Sequence, residues 1–262
     1  MAEKEVENKL EPIQSVERAL QVLELLSTRG SLGLNDMHKA LGVNKASLLR
    51  LAYTLVGQGF AAKDEQTGEY SLTLKSYEIG LRAVKNLDKM SLITSTLADL
   101  SSQTGRIAQF SVEDNNTLLC LQSIGQKNNP FSVYTNLGGR SPLYCTSAGK
   151  ALLSACSNTE IIARWDNLDP KPLTKNTITD IQELLSDISR TRQRGYALDQ
   201  EENEYGICCI GSIVMGQTGK PVGAISLSGN AFSGEDEIRS LADILLPVAR
   251  RLSGMMGYYI AP

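Results

Sequence analysis

Leu41-Gly42-Val43-Asn44-Lys45-Ala46-Ser47 decides the reading of this chain, because it joins two short amphipathic segments through the tight turn of a helix-turn-helix. The segment before it, Leu34 to Leu41, closes on Gly42, a residue suited to the left-handed position after a helix end. Asn44 is the expected N-cap of the next helix, which carries Leu48, Leu51, Leu55 and Val56 inward. Upstream, Ser15 to Ser27 places Val16, Ala19, Leu20, Leu23 and Leu26 on one helical face. Downstream, Phe60-Ala61-Ala62-Lys63 and Glu69-Tyr70-Ser71-Leu72-Thr73 flank the turn-rich stretch 64–68 and predict a β-hairpin wing. A helical hairpin with a small ribbon and no DNA role is the competing reading. It leaves the polar face of the third helix without a purpose. That face offers Asn44, Lys45, Ser47 and Arg50, with Ala46 between them, to phosphates and base edges in a major groove.

The rest of the composition limits the function classes. The 262 residues suffice for two domains with proper cores, and charge is near balance at −3. Residues 13–89 hold ten Lys/Arg against eight Asp/Glu, whereas 90–262 hold fourteen against seventeen. A mildly basic reader joined to an acidic second domain fits a site-specific DNA binder better than a coating protein. The charged start Met1-Ala2-Glu3-Lys4-Glu5 does not read as a signal peptide, and no apolar run approaches membrane-spanning length. A cytoplasmic protein with reduced thiols and no membrane partner is expected. Five cysteines without a C-x-x-C pair, and a single histidine, His38, make a zinc site unexpected; no metal and no cofactor are predicted. His38 itself is expected at a surface or boundary position.

Residues 74–90 read as a charged amphipathic linker helix with Tyr77, Leu81, Val84 and Leu87 on one stripe, able to carry movement or merely to space two domains. From Ser91 the pattern mixes α and β. A helix over Leu92 to Leu100 is followed by a hairpin, Ile107–Val112 and Thr117–Ile124, and a strand over Phe131 to Thr135. Helices follow at Thr146–Ala155, Glu160–Trp165 and Asp180–Arg194, then strands at Ile207–Met215 and Val222–Ser228. A long helix over Glu235 to Met256 ends the chain. This predicts an α+β, sensor-like domain over 91–262 behind a winged helix-turn-helix over 13–73.

Enzyme readings find little support. Ser147-Ala148-Gly149-Lys150 matches the S-x-x-K pattern of serine acyl enzymes without the accompanying S-D-N and K-T-G elements. Gly149-Lys150 lacks the Ser/Thr and upstream Gly of a phosphate loop. Adjacent Cys208 and Cys209 raise the alternative of a thiol-based redox sensor, although their apolar strand suggests burial.

With these motifs in place the chain resembles an IclR-family transcription regulator from about Ile13 to Gly257. The resemblance rests on Ser15-Val16-Glu17-Arg18-Ala19-Leu20, the turn quoted above, and Gly139-Arg140-Ser141-Pro142-Leu143-Tyr144 leading to Ser147-Ala148-Gly149-Lys150-Ala151. Arg194-Gly195-Tyr196, Asp199-Gln200-Glu201-Glu202, Gly206-Ile207-Cys208-Cys209-Ile210 and Ile225-Ser226-Leu227-Ser228-Gly229 extend it, and the order and spacing are more specific than any one of them. It implies a GAF-like effector domain, homodimers or homotetramers on double-stranded operator DNA, and a small organic acid as signal. Family pocket positions fall on Ser147, Ala148, Asp199, Cys209, Ser226 and Ser228, with Val133 and Ile207 as apolar wall. Ser141 departs from related pockets that carry an apolar residue there. The residue types suit the role: amides at a helix start for a carboxylate, two hydroxyls on one strand face, and Asp199 as acceptor for a hydroxyl. The expected function is repression of a catabolic operon relieved by an organic or sugar acid, with activation as the alternative sign.

Overall fold

A computed structural model of the chain describes residues 12–85, 89–125 and 137–258, with the backbone alone for 81 and 83–85. Contacts divide the chain between Asp88 and Lys89 into two compact units.

The first unit contains α1 (Gln14–Arg29), α2 (Leu34–Leu41), α3 (Lys45–Gly57), β1 (Ala61–Lys63), β2 (Tyr70–Leu72) and α4 (Lys75–Lys85). Gly42 takes the left-handed conformation (φ 66°, ψ 6°), and its amide donates to the His38 carbonyl at 2.9 Å. The exposed His38 ring donates from Nδ1 to the Val43 carbonyl at 2.8 Å, so the chain's one histidine braces the turn. Asn44 Oδ1 accepts the Ser47 amide at 2.9 Å and starts α3. Leu32 pairs with Tyr70 beside the β1–β2 ribbon, tying the helices to the wing.

Two buried stripes differ from the periodicity reading. On α1 the buried residues are Val22 and Leu26, while Val16 and Leu20 are more than half exposed (53% and 55%). On α3, Ala52 joins Leu48 and Leu55 inside and Val56 lies outside. Apolar spacing gives a helix a stripe, but the packing of its neighbours decides which line is covered. The expected linker helix over 74–90 is described only in part, since residues 86–88 lie outside the described residues. The helix α4 is described to Lys85, and Lys89, with non-helical angles (φ −129°, ψ 14°), caps a new helix. Tyr77 on the expected stripe is exposed, and Leu87 lies outside the described residues.

The second unit is α+β. Its elements are α5 (Met90–Thr104), β3 (Ile107–Asp114), β4 (Thr117–Ile124), β5 (Arg140–Pro142), α6 (Ser147–Leu153), α7 (Asn158–Arg164), α8 (Ile181–Arg194), β6 (Ala197–Gln200), β7 (Cys208–Met215), β8 (Pro221–Gly229) and α9 (Glu235–Met255). The strands form one antiparallel sheet in the order β5-β4-β3-β8-β7-β6. The short strands β5 and β6 were not expected from periodicity, because three or four residues are too few for alternation to register. The expected strand over Phe131 to Thr135 lies outside the described residues.

Alternation along the strands sorts the two faces. Ala108, Phe110, Leu198, Ile210, Ile225 and Leu227 pack into a core with α5 and α9. The opposite face carries Ala197 and Ala224, which join α6 and α8 in a second core. Between that core and β3 the same face is polar, and there a cavity opens.

Candidate functional site

The cavity has a volume of about 160 Å³. One wall is the start of α6. Thr146 caps this helix, accepting the Gly149 amide at 3.3 Å while its hydroxyl donates to the Pro142 carbonyl at 2.7 Å. The first intrahelical bond is Lys150 N–H to Thr146, which leaves the amides of Ser147 and Ala148 for a ligand. The helix has only seven residues, so these amides, rather than a long helix dipole, are what it offers. It lies close on the sheet because Gly211 in β7 has no side chain. A Cβ there would stand 2.8 Å from the Ser147 carbonyl carbon and 2.9 Å from the Ala148 nitrogen.

The floor comes from alternate residues of three strands. Gln109 on β3, Ser226 and Ser228 on β8, and Cys209 on β7 share one face, and Cys209 is paired opposite Ser228. The Cys209 thiol donates to Ser228 Oγ at 3.1 Å, and Ser228 Oγ donates to Gln109 Oε1 at 3.2 Å. Asp199 closes one end from β6. Only 2% exposed, it accepts the Glu202 amide at 2.8 Å and the Asn203 amide at 3.4 Å through Oδ1. Burial pushes its carboxyl up to about 7, with the neighbouring Glu202 charge adding to the rise against the pull of the amides and Lys150.

Behind the cavity sits a charged knot. Lys150, 1% exposed, places Nζ 2.6 and 2.8 Å from the two Glu202 oxygens and 2.8 Å from Asp187 Oδ2. Burial raises the Glu202 carboxyl, while for Asp187 the burial penalty is outweighed by Lys150, Arg194 and Arg190. The knot ties α6, α8 and the β6–β7 loop together, and that loop supplies Asn203, Glu204 and Ile207 to the cavity.

All six residues singled out for an effector, Ser147, Ala148, Asp199, Cys209, Ser226 and Ser228, therefore line one cavity, and Ile207 and Ser141 line it too. Val133 lies outside the described residues. Gln109, Ser111, Cys120, Asn203 and Glu204 were missed. Gln109 and Ser111 were findable, as polar positions alternating with buried Ala108 and Phe110. The redox alternative is poorly served. Cys208 and Cys209 are successive on one strand and point to opposite faces, and burial pushes both thiols up. Among the described residues no cluster of His, Cys, Asp and Glu could hold a metal ion.

In the first unit Lys45, Ala46 and Arg50 are exposed on α3 and Ser47 is half-buried. Asn44 is partly committed, since its Oδ1 forms the cap.

Comparison with known proteins agrees with both units. The IclR helix-turn-helix domain matches residues 15–65, and the bacterial transcriptional regulator IclR C-terminal domain matches residues 81–254. The chain is 27% identical to the HTH-type transcriptional regulator KdgR of Escherichia coli (strain K12), covering all of both chains. It is 29% identical to the HTH-type transcriptional repressor AllR of Salmonella typhi, over 93% of this chain and 90% of that one. The crystal structure of the Thermotoga maritima IclR superposes with a TM-score of 0.78 at 25% identity, covering 94% of this chain and 100% of that one. A helix-turn-helix, an effector domain with a polar cavity, and family matches that span both lead to one identification: this chain is a member of the IclR family of DNA-binding transcriptional regulators, which are not enzymes.

Proposed function

We propose that the protein represses a catabolic operon and releases its operator when a small organic or sugar acid fills the α6–β6–β7–β8 cavity. The observation that carries this is the buried Asp199 beside paired hydroxyls and two helix-start amides. Carboxylates buried at such electrostatic cost cluster at functional sites. Ser147 and Ala148 amides hold the ligand carboxylate, Ser226 and Ser228 orient it, and Asp199 accepts a ligand hydroxyl. Reading belongs to residues 13–73, coupling to 74–90 and sensing to 91–262. Repression is the sign carried by the related AllR, a repressor by name. The protein acts as a dimer or tetramer in the cytoplasm, where the operator is. Exposed Val16 and Leu20, one turn apart on α1, and exposed Leu49 and Tyr53 on α3 supply apolar surface for pairing. A melting-shift screen of sugar acids, other hydroxy acids and keto acids tests the reading. Hydroxylated acids should raise the transition of the effector domain and lower operator affinity; acids that stabilise without affecting operator binding would overturn it.

A further inference from the structure

A cleft between α1 and α3 is lined by Gln14, Ser15, Arg18, Ser47, Arg50 and Thr54, together with Leu51. Its volume is about 270 Å³. Spacing explains the convergence: Ser15 and Arg18 are one turn apart on α1, and Ser47, Arg50 and Thr54 follow at three and four residues along α3. No carboxylate lines the cleft among the described residues, and neither arginine has an acidic partner there. The acids of α1, Glu17 and Glu24, are not part of it. Two guanidinium groups without an acidic partner among the described residues, beside two serine hydroxyls and an amide, form a receptor for a tetrahedral oxyanion. The cleft shares Ser47 and Arg50 with the face that reads the operator, so the oxyanion delivered to it is the DNA backbone.

We propose that this cleft is a phosphate clamp, in which Arg18 of α1 and Arg50 of α3 hold one backbone phosphate of the operator. This rests on the DNA-binding assignment and deepens it. Arg18 becomes a DNA-contacting residue on a helix outside the reading pair. Arg50 is assigned to the backbone, which leaves Lys45 at the start of α3 as the charged side chain free for base edges.

The test uses the full-length protein, a duplex selected by that protein from a random library, single-base variants of the duplex, and an unrelated duplex of equal length. Operator affinity is measured over a salt series for wild type, Arg18→Ala and Arg18→Lys, with melting temperature as a folding control. Arg18→Ala should bind about tenfold more weakly, the loss of one charge-assisted contact. The loss should be the same on every base variant and on unrelated DNA, and the slope of log affinity against log salt should become shallower by about 0.9. Arg18→Lys should keep the slope, because it keeps the charge, while losing part of the affinity with the planar fork. Wild-type affinity and slope in a folded Arg18→Ala protein would overturn the clamp while leaving DNA binding intact. A loss confined to one base position would also overturn it, because Arg18 would then read sequence. Failure of the wild type to select any duplex would strike the DNA-binding assignment itself.

Discussion

Asp199 is held in a state that costs the folded protein energy. Its carboxyl is raised from 3.8 to about 7 by burial, so the folded state prefers it protonated. Its contribution to stability is therefore fully present below the unfolded value and is lost as pH rises through about 7. Asp199→Asn keeps the shape and removes the ionisation. It should therefore stabilise the protein at pH 8, by on the order of 1–3 kcal/mol, and change little at pH 4. Thermal unfolding of both proteins across that range checks this, and an equal effect at both ends would contradict it. The residue was legible in the sequence through its motif and its chemistry. Its ionisation was not, because that depends first on its burial by the fold and then on Glu202 and Lys150 arriving beside it from the β6–β7 loop and α6.

Three elements depend on one buried cation. Lys150 on α6 meets Glu202 on the β6–β7 loop and Asp187 on α8. Replacing it with Met would leave Glu202 buried without its counter-charge and Asp187 with only Arg190 and Arg194, a loss of about 3–5 kcal/mol. The cavity should loosen with it, since Asn203 and Glu204 stand on the same loop. Unfolding midpoints and ligand calorimetry of Lys150→Met compare the two effects; a wild-type midpoint would show that the knot contributes nothing. Helix and strand identities were largely readable, because Gly42, Asn44 and the alternation of β3, β7 and β8 are local signals. The buried line of α1 was not, since Val16 and Leu20 fit a helical stripe as well as Val22 and Leu26 do. Only the packing of α2, α3 and β2 distinguishes them.

For the whole molecule, one small reader gives a small footprint, and a symmetric pair doubles it. Sedimentation should show a dimer or tetramer on the operator, with half-sites spaced close to whole helical turns, about 10 bp or a multiple. A monomer both free and on DNA would contradict this. The two-unit architecture was legible from the change in pattern near Ser91, whereas the cleft between α1 and α3 was not, because a cleft between helices has no sequence period. In the proposed function the cavity controls the operator. The most direct test of this is the affinity of labelled operator for wild type and Asp199→Ala, at one fixed salt, with increasing effector from the screen. Ligand-free operator affinity should be equal in the two proteins. Effector should weaken wild-type binding, while the variant should need an effector concentration higher by the equivalent of roughly 1–3 kcal/mol. An identical effector response in both proteins would contradict the account.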